Sequence, residues 1–213
     1  MNKLLLKDWY VICRKEEIEE NKILLKYVFD QEIIIWKKKE RIMAWENLCI
    51  HRGSRLSLGS INNGILKCAY HGWEYNQDAQ CVKIPSQPDI KIPKKACVKS
   101  YKVIEKMNMV WINLSKDANA FVNIKEFNES NFNHVASGPY IMNASAPRAI
   151  ENFLDVAHFP FVHENHLGVK DKPMIDDYDV VSSNKGIHAS NVKVFQPNPD
   201  GTNKSGEVIY DYH

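Results

Sequence analysis

The sequence predicts a mainly β fold with some α, in two parts. Three observations lead there. Short runs of β-branched and aromatic residues, each bounded by polar turns, recur from Trp9 to Leu114, the pattern of strands. That pattern stops in a polar stretch at residues 115–119. One later stretch, 148–159, spaces its apolar and polar residues with a helical period. The expected division is therefore residues 1–115 and 116–213.

In order, residues 9–13, 23–29, 32–36 and 41–45 read as strands. Residues 29–32 join two of them as a hairpin, and the charged segment 16–21 reads as a surface turn. Lys37-Lys38-Lys39-Glu40-Arg41 reads as a solvated hairpin turn, with a docking patch for an acidic redox partner as the alternative. Asn62-Asn63-Gly64 signals a tight turn before Ile65. Pro85, Pro88 and Pro93 break the next segment into an extended loop. Residues 101–105 and 109–114 close the sheet region. After a polar, irregular stretch at 120–139, residues 140–145 read as a strand and 148–159 as a helix. Residues 178–182, 186–195 and 207–212 read as further strands.

The net charge of +2 argues against a nucleic-acid surface. Leu4-Leu5-Leu6 is followed at once by Lys7 and Asp8, too short for a secretory apolar region. No apolar run is long enough to span a bilayer. The expectation is a cytoplasmic protein, in which five cysteines do not form a disulfide framework. Cys13, Cys81 and Cys97 read as buried or half-buried thiols.

Two short stretches carry the chemistry: Cys49-Ile50-His51-Arg52-Gly53 and Cys68-Ala69-Tyr70-His71-Gly72-Trp73. Each presents one thiol and one imidazole from a single loop, and two Cys with two His make a metal site. A structural zinc site needs only four ligands and a turn, and a zinc ribbon stays open as an alternative. A [2Fe-2S] cluster asks for more. Its sulfides need hydrogen-bond donors and shielding from water, which tune its potential. A glycine after each histidine lets backbone N–H groups come close, and Tyr70 and Trp73 can exclude solvent.

On these ligands, their spacing and the HRG and HGW extensions, the sequence resembles the Rieske family. The resemblance implies a Rieske β-sandwich domain, with Cys49 and Cys68 on one iron and His51 and His71 on the outer iron. Ile50 and Ala69 stand where many relatives carry proline.

The second constellation is Asn152, Asp155, His158 and His163. On a helix Asp155 and His158 would share one face, whereas His163 would turn away from His158. Pro160 lies between the two histidines and disturbs the helix, so a bend could bring both imidazoles to one point. They would then supply most of a 2-His-1-carboxylate triad for non-haem Fe(II). Read alone, they are equally ordinary polar residues on a helix.

The string N-x-x-D-x-x-H-x4-H resembles a segment of the Rieske non-haem iron oxygenases. That resemblance implies the start of an α+β helix-grip-type catalytic domain in which His158 and His163 bind a mononuclear Fe(II). Asp155 would link His158 to His71 of another subunit, with Asn152 beside the ligands. His166 reads as a surface or pocket-rim residue. The family's carboxylate ligand comes from a late helix, and only 50 residues follow His163. Glu164, Asp171, Asp176, Asp177, Asp179, Asp200, Glu207 and Asp211 do not match its placement. The expectation is an incomplete catalytic domain, whether truncated, split or naturally short.

The function implied by the resemblance is that of a terminal oxygenase, a mono- or dioxygenase. Electrons from a ferredoxin or flavin reductase would pass through the cluster to the mononuclear iron. O2 would then hydroxylate or demethylate a small organic substrate. A homotrimer is implied if the catalytic domain is complete. The alternative is a Rieske-type electron carrier, or an inactive fragment without oxygenase activity.

Overall fold

The computed structural model describes residues 5–183 and 186–212. The chain forms two compact units, Met1–Val135 and Ala136–His213. This division falls later than the composition break at 115. Residues just past the break are tied back to the start of the chain: the Asn119 N–H donates to the Lys7 carbonyl at 2.8 Å, and Trp9 Nε1 donates to the Asn119 carbonyl. Phe121 sets its ring edge-on against Trp9 and Trp111.

The first unit is a β-sandwich. Its larger sheet has the order β1-β10-β9-β4-β3-β2, and its smaller sheet runs β5-β6-β7-β8. The strands of the larger sheet are β1 (Trp9–Arg14), β2 (Leu24–Val28), β3 (Gln31–Lys38), β4 (Arg41–Glu46), β9 (Ser100–Lys106) and β10 (Met109–Asn113). Those of the smaller sheet are β5 (Ser60–Asn62), β6 (Ile65–Lys67), β7 (Glu74–Tyr75) and β8 (Cys81–Lys83).

Strand β3 is buried on both faces, which is why its sequence is a continuous apolar run rather than an alternation. Ile33 and Ile35 face one core with Ile12, Val110 and Ile112. Ile34 and Trp36 face the other, between the sheets, with Trp45, Leu66, Tyr75, Cys49 and Cys68. The metal-loop cysteines are thus part of the larger apolar core. Asn63 (φ 51°) and Gly64 (φ 77°) make the tight turn joining β5 to β6, a left-handed pair that Asn-Gly adopts readily. Two loop expectations need correction. The 16–21 segment is not purely a surface turn, because Ile18 is 2% exposed and plugs the core beneath it. Cys97 is exposed, its thiol donating to the Lys94 carbonyl, whereas Cys13 and Cys81 are buried. Burial pushes the Cys13 thiol up to about 12, so it stays protonated and inert.

The second unit carries an antiparallel sheet, β11 (Asp179–Ser183), β12 (Gly186–Gln196) and β13 (Gly206–Tyr212). Val156, Val192 and Val194 form its small core, with Phe159, Ile175 and Tyr210 packed against them. Residues 140–145 are not a strand. Tyr140, Ile141 and Met142 stand exposed, with no neighbouring strand to pair among the described residues, and an isolated extended segment gains no ladder hydrogen bonds.

The expected helix at 148–159 is two helices, α1 (Ala146–Leu154) and α2 (Phe159–Val162). Asp155 ends the first. Its backbone is extended (φ −78°, ψ 107°), and its carboxylate accepts the Ala157 N–H at 2.8 Å. That local bond competes with the helical one. Pro160 then sits in the first turn of α2, where its missing N–H costs nothing. Among the described residues no helix is long and apolar enough to cross a membrane.

Candidate metal centres

In the first unit the two Cys/His loops share one closure. The Cys49 N–H donates to the Ser54 carbonyl, and the Gly53 N–H returns to the Cys49 carbonyl at 2.9 Å. The Cys68 N–H likewise donates to the Trp73 carbonyl, and the Gly72 N–H to the Cys68 carbonyl at 3.1 Å. Both glycines have φ +70°, a conformation that side chains disfavour. These two N–H groups close the loops.

The closures bring the two histidine rings together. Cys49 and Cys68 are buried in the same core. The His51 and His71 rings are 4.5 Å apart between centroids. Trp73 stacks on His51 at 4.5 Å and 6°, and Tyr70 lies over His71 at 3.9 Å. His51 Nδ1 is buried and has no hydrogen-bond partner among the described residues. A buried imidazole nitrogen without a partner is costly unless a ligand completes it, so two thiols and two imidazoles here fit a metal group. Burial, His71 and Arg52 all hold the His51 imidazole below the ordinary histidine range, favouring the neutral ring that binds metal.

Among the described residues no three His, Cys, Asp or Glu side chains are gathered closely enough to hold one metal ion. A zinc site needs four donors around one point. A binuclear cluster takes two donors at each end.

Two further elements were not foreseen. The Tyr75 hydroxyl lies 3.0 Å from Cys49 Sγ in the core. Burial, with the Cys49 sulfur beside it, pushes the phenol up, so the hydroxyl keeps its proton and can donate to a thiolate. Burial pushes the Cys49 thiol up, against the lowering effect of that hydroxyl and of the His51 N–H. Secondly, buried Asn47 fastens the first loop. Its Nδ2 donates to Glu32 Oε2 (2.8 Å) and Ser57 Oγ (2.9 Å), and its Oδ1 accepts the Ser57 N–H. Arg55 donates twice to the same Glu32 carboxylate, at 2.9 and 2.6 Å. Nothing in the linear pattern marks these residues, because their partners come from β3 and from the far side of the loop.

In the second unit, His158 caps the N-terminus of α2 and His163 its C-terminus. Their rings are 5.1 Å apart between centroids. His158 Nδ1 faces Asp155 Oδ2 at 3.3 Å, a contact made across the helix break and not along one helical face. Asn152 lines the hollow in front of the pair with Phe153, Phe159, Leu167 and Tyr210. His166 is exposed. Two imidazoles with one backed by a carboxylate match two sides of a non-haem iron site. A cavity of about 450 Å³ opens beside Asp155, lined by Leu154, Val156, Ile175, Val180, Ile187, Val192, Tyr178 and Tyr212. Asp155 is its one charged lining residue among those described.

Over two regions the chain is similar to Rieske oxygenases. Residues 8–105 match the Rieske [2Fe-2S] domain, and residues 142–204 match the vanillate O-demethylase oxygenase C-terminal domain. Methylxanthine N1-demethylase NdmA of Pseudomonas putida is 30% identical over 167 residues, covering 75% of this chain and 47% of that protein. The toluene-4-sulfonate monooxygenase iron–sulfur subunit TsaM1 of Comamonas testosteroni is 30% identical over 176 residues, covering 79% of this chain and 50% of its own. A solved structure of Pseudomonas putida NdmA, a QL mutant with caffeine, superposes with a TM-score of 0.79 at 26% identity, covering 97% of this chain and 61% of that one. The chain thus spans about half the length of these curated relatives. The family's cofactors are a [2Fe-2S] cluster and a mononuclear iron.

Proposed function

We propose that this chain is the cluster-bearing part of a terminal oxygenase. Cys49 and Cys68 would hold one iron of a [2Fe-2S] cluster, and His51 and His71 the other. His158 and His163 would hold a mononuclear Fe(II). Bound there, the cluster would supply single electrons and the mononuclear iron the reduction of O2. The observation that carries the reading is the His51–His71 ring pair at 4.5 Å, with Cys49 and Cys68 buried in one core and His51 Nδ1 buried without a partner among the described residues.

The remaining roles belong to the chain's own groups. Asp155 Oδ2, at His158 Nδ1, fixes the tautomer that leaves Nε2 as the metal-binding lone pair. Its carboxylate is 48% exposed, open to His71 of a neighbouring subunit in the homotrimer we infer. Asn152 orients ligands and substrate in the hollow before the pair. The electron donor is a ferredoxin or a flavin reductase, and the free cysteines suit the reducing cytoplasm. The reaction is demethylation or hydroxylation of a small organic molecule. The apolar cavity with Asp155 as its single charge favours an uncharged ring over a carboxylated or sulfonated one. NdmA, a methylxanthine N1-demethylase, is a relative of that kind.

A second reading has one observation in its favour: among the described residues no three His, Cys, Asp or Glu side chains are grouped so that they could hold a metal ion, and the Asp155 carboxylate lies at His158 Nδ1. The chain would then be an electron carrier. Iron analysis of the purified protein separates the two. About three irons per chain support the oxygenase reading, and about two support the carrier. A colourless protein with one zinc overturns both.

A further inference from the structure

We infer that Gly168 is a positioning residue for the histidine pair: its missing side chain lets the turn after His163 lie directly on the α2 backbone. The inference rests on the reading of His158 and His163 as metal ligands.

The segment after His163 folds back tightly. The His166 and Leu167 N–H groups both donate to the His163 carbonyl at 3.0 Å. Asn165 takes a left-handed conformation (φ 63°), and its N–H donates to the Gly168 carbonyl at 2.8 Å. This turn delivers Gly168, buried, onto the peptide between Phe159 and Pro160. A Cβ on Gly168 would stand 2.8 Å from Pro160 N, 2.9 Å from Pro160 Cα and 3.0 Å from the Phe159 carbonyl carbon. These are backbone atoms in a proline-containing turn, so no side-chain rotation relieves the clash.

The turn in question carries both imidazoles. The His158 carbonyl accepts the Phe161 and Val162 N–H groups, and the His163 N–H donates to the Phe159 carbonyl. Moving the 159–160 peptide therefore moves His158 at one end and His163 at the other. Lifting the 164–168 turn instead pulls on the His163 carbonyl that it holds. Either relief changes the 5.1 Å ring separation. Residues that orient metal-binding histidines alter affinity by about 10–100-fold when changed.

The test is Gly168→Ala in the full chain carrying its cluster, titrated with Co(II) by calorimetry. Gly206→Ala serves as the control, since a Cβ there meets only Pro199 Cγ at 3.6 Å. The expected result is Co(II) binding weakened about tenfold or more by Gly168→Ala, with the cluster's visible absorption unchanged and Gly206→Ala like the parent. Equal Co(II) affinity in parent and Gly168→Ala overturns the inference. If the parent itself binds no Co(II), the metal reading of the pair fails. The positioning claim is then decided by the imidazole 15N resonances of His158 and His163. Resonances that shift in Gly168→Ala support it, and unmoved resonances overturn it.

Discussion

Each unit holds two imidazoles at nearly the same spacing, 4.5 Å between ring centroids for His51 and His71 and 5.1 Å for His158 and His163. Their settings differ. The first pair projects from two separate loops, each closed by its own glycine turn and backed by buried thiols inside a sandwich core. The second pair comes from a single helical turn, with His163 exposed and one carboxylate behind His158. Proximity of imidazoles is therefore inexpensive to arrange. What separates the two centres is the rest of the donor set and the number of elements that fix it.

The largest expected effect breaks the first centre. Cys68→Ser removes a thiolate whose partner sulfur is buried, and the chain should lose its visible absorption and essentially all cluster iron. Retained colour would show that another donor replaces it. Next comes the second centre. His158→Ala with His163→Ala should remove about one iron per chain and leave the cluster spectrum intact, as iron analysis beside absorption would show. Loss of the cluster in that variant would mean that the two centres are not independent.

A smaller effect falls on the frame of the first loop. Asn47→Ala breaks bonds to Glu32 and Ser57 and should destabilise the first unit by about 1–3 kcal/mol in a denaturant titration. The smallest concerns tuning. Tyr75→Phe removes a hydroxyl that donates to the Cys49 thiolate. Such a bond stabilises the more negative reduced form, so the potential should fall by about 40 mV, the equivalent of roughly 1 kcal/mol in a one-electron couple. An unchanged potential would show that the hydroxyl does not act on the sulfur.

Much of this was legible in the sequence, for a physical reason. Ligands of the first centre sit two and three residues apart in loops marked by glycine, and β3 announces its double burial by an unbroken apolar run. Local constraints write local patterns. The elements that were missed depend on pairing. Tyr75 meets Cys49 from another strand, and Asn47 and Glu32 meet only when β3 lies beside β4. The helix at 148–159 was overextended because Asp155 satisfies a helical pattern while its carboxylate bonds the Ala157 N–H and ends the helix. Residues 140–145 have strand-forming side chains but no strand beside them.

The most direct measurement of the central claim is electron paramagnetic resonance of the dithionite-reduced protein, made alongside acid-labile sulfide analysis. A cluster held by two sulfurs at one end and two nitrogens at the other should give about two sulfides per chain and an anisotropic signal with a lower average g value than an all-cysteine cluster. A silent sample without labile sulfide, or a signal of the all-cysteine kind, would contradict the assignment of Cys49, His51, Cys68 and His71.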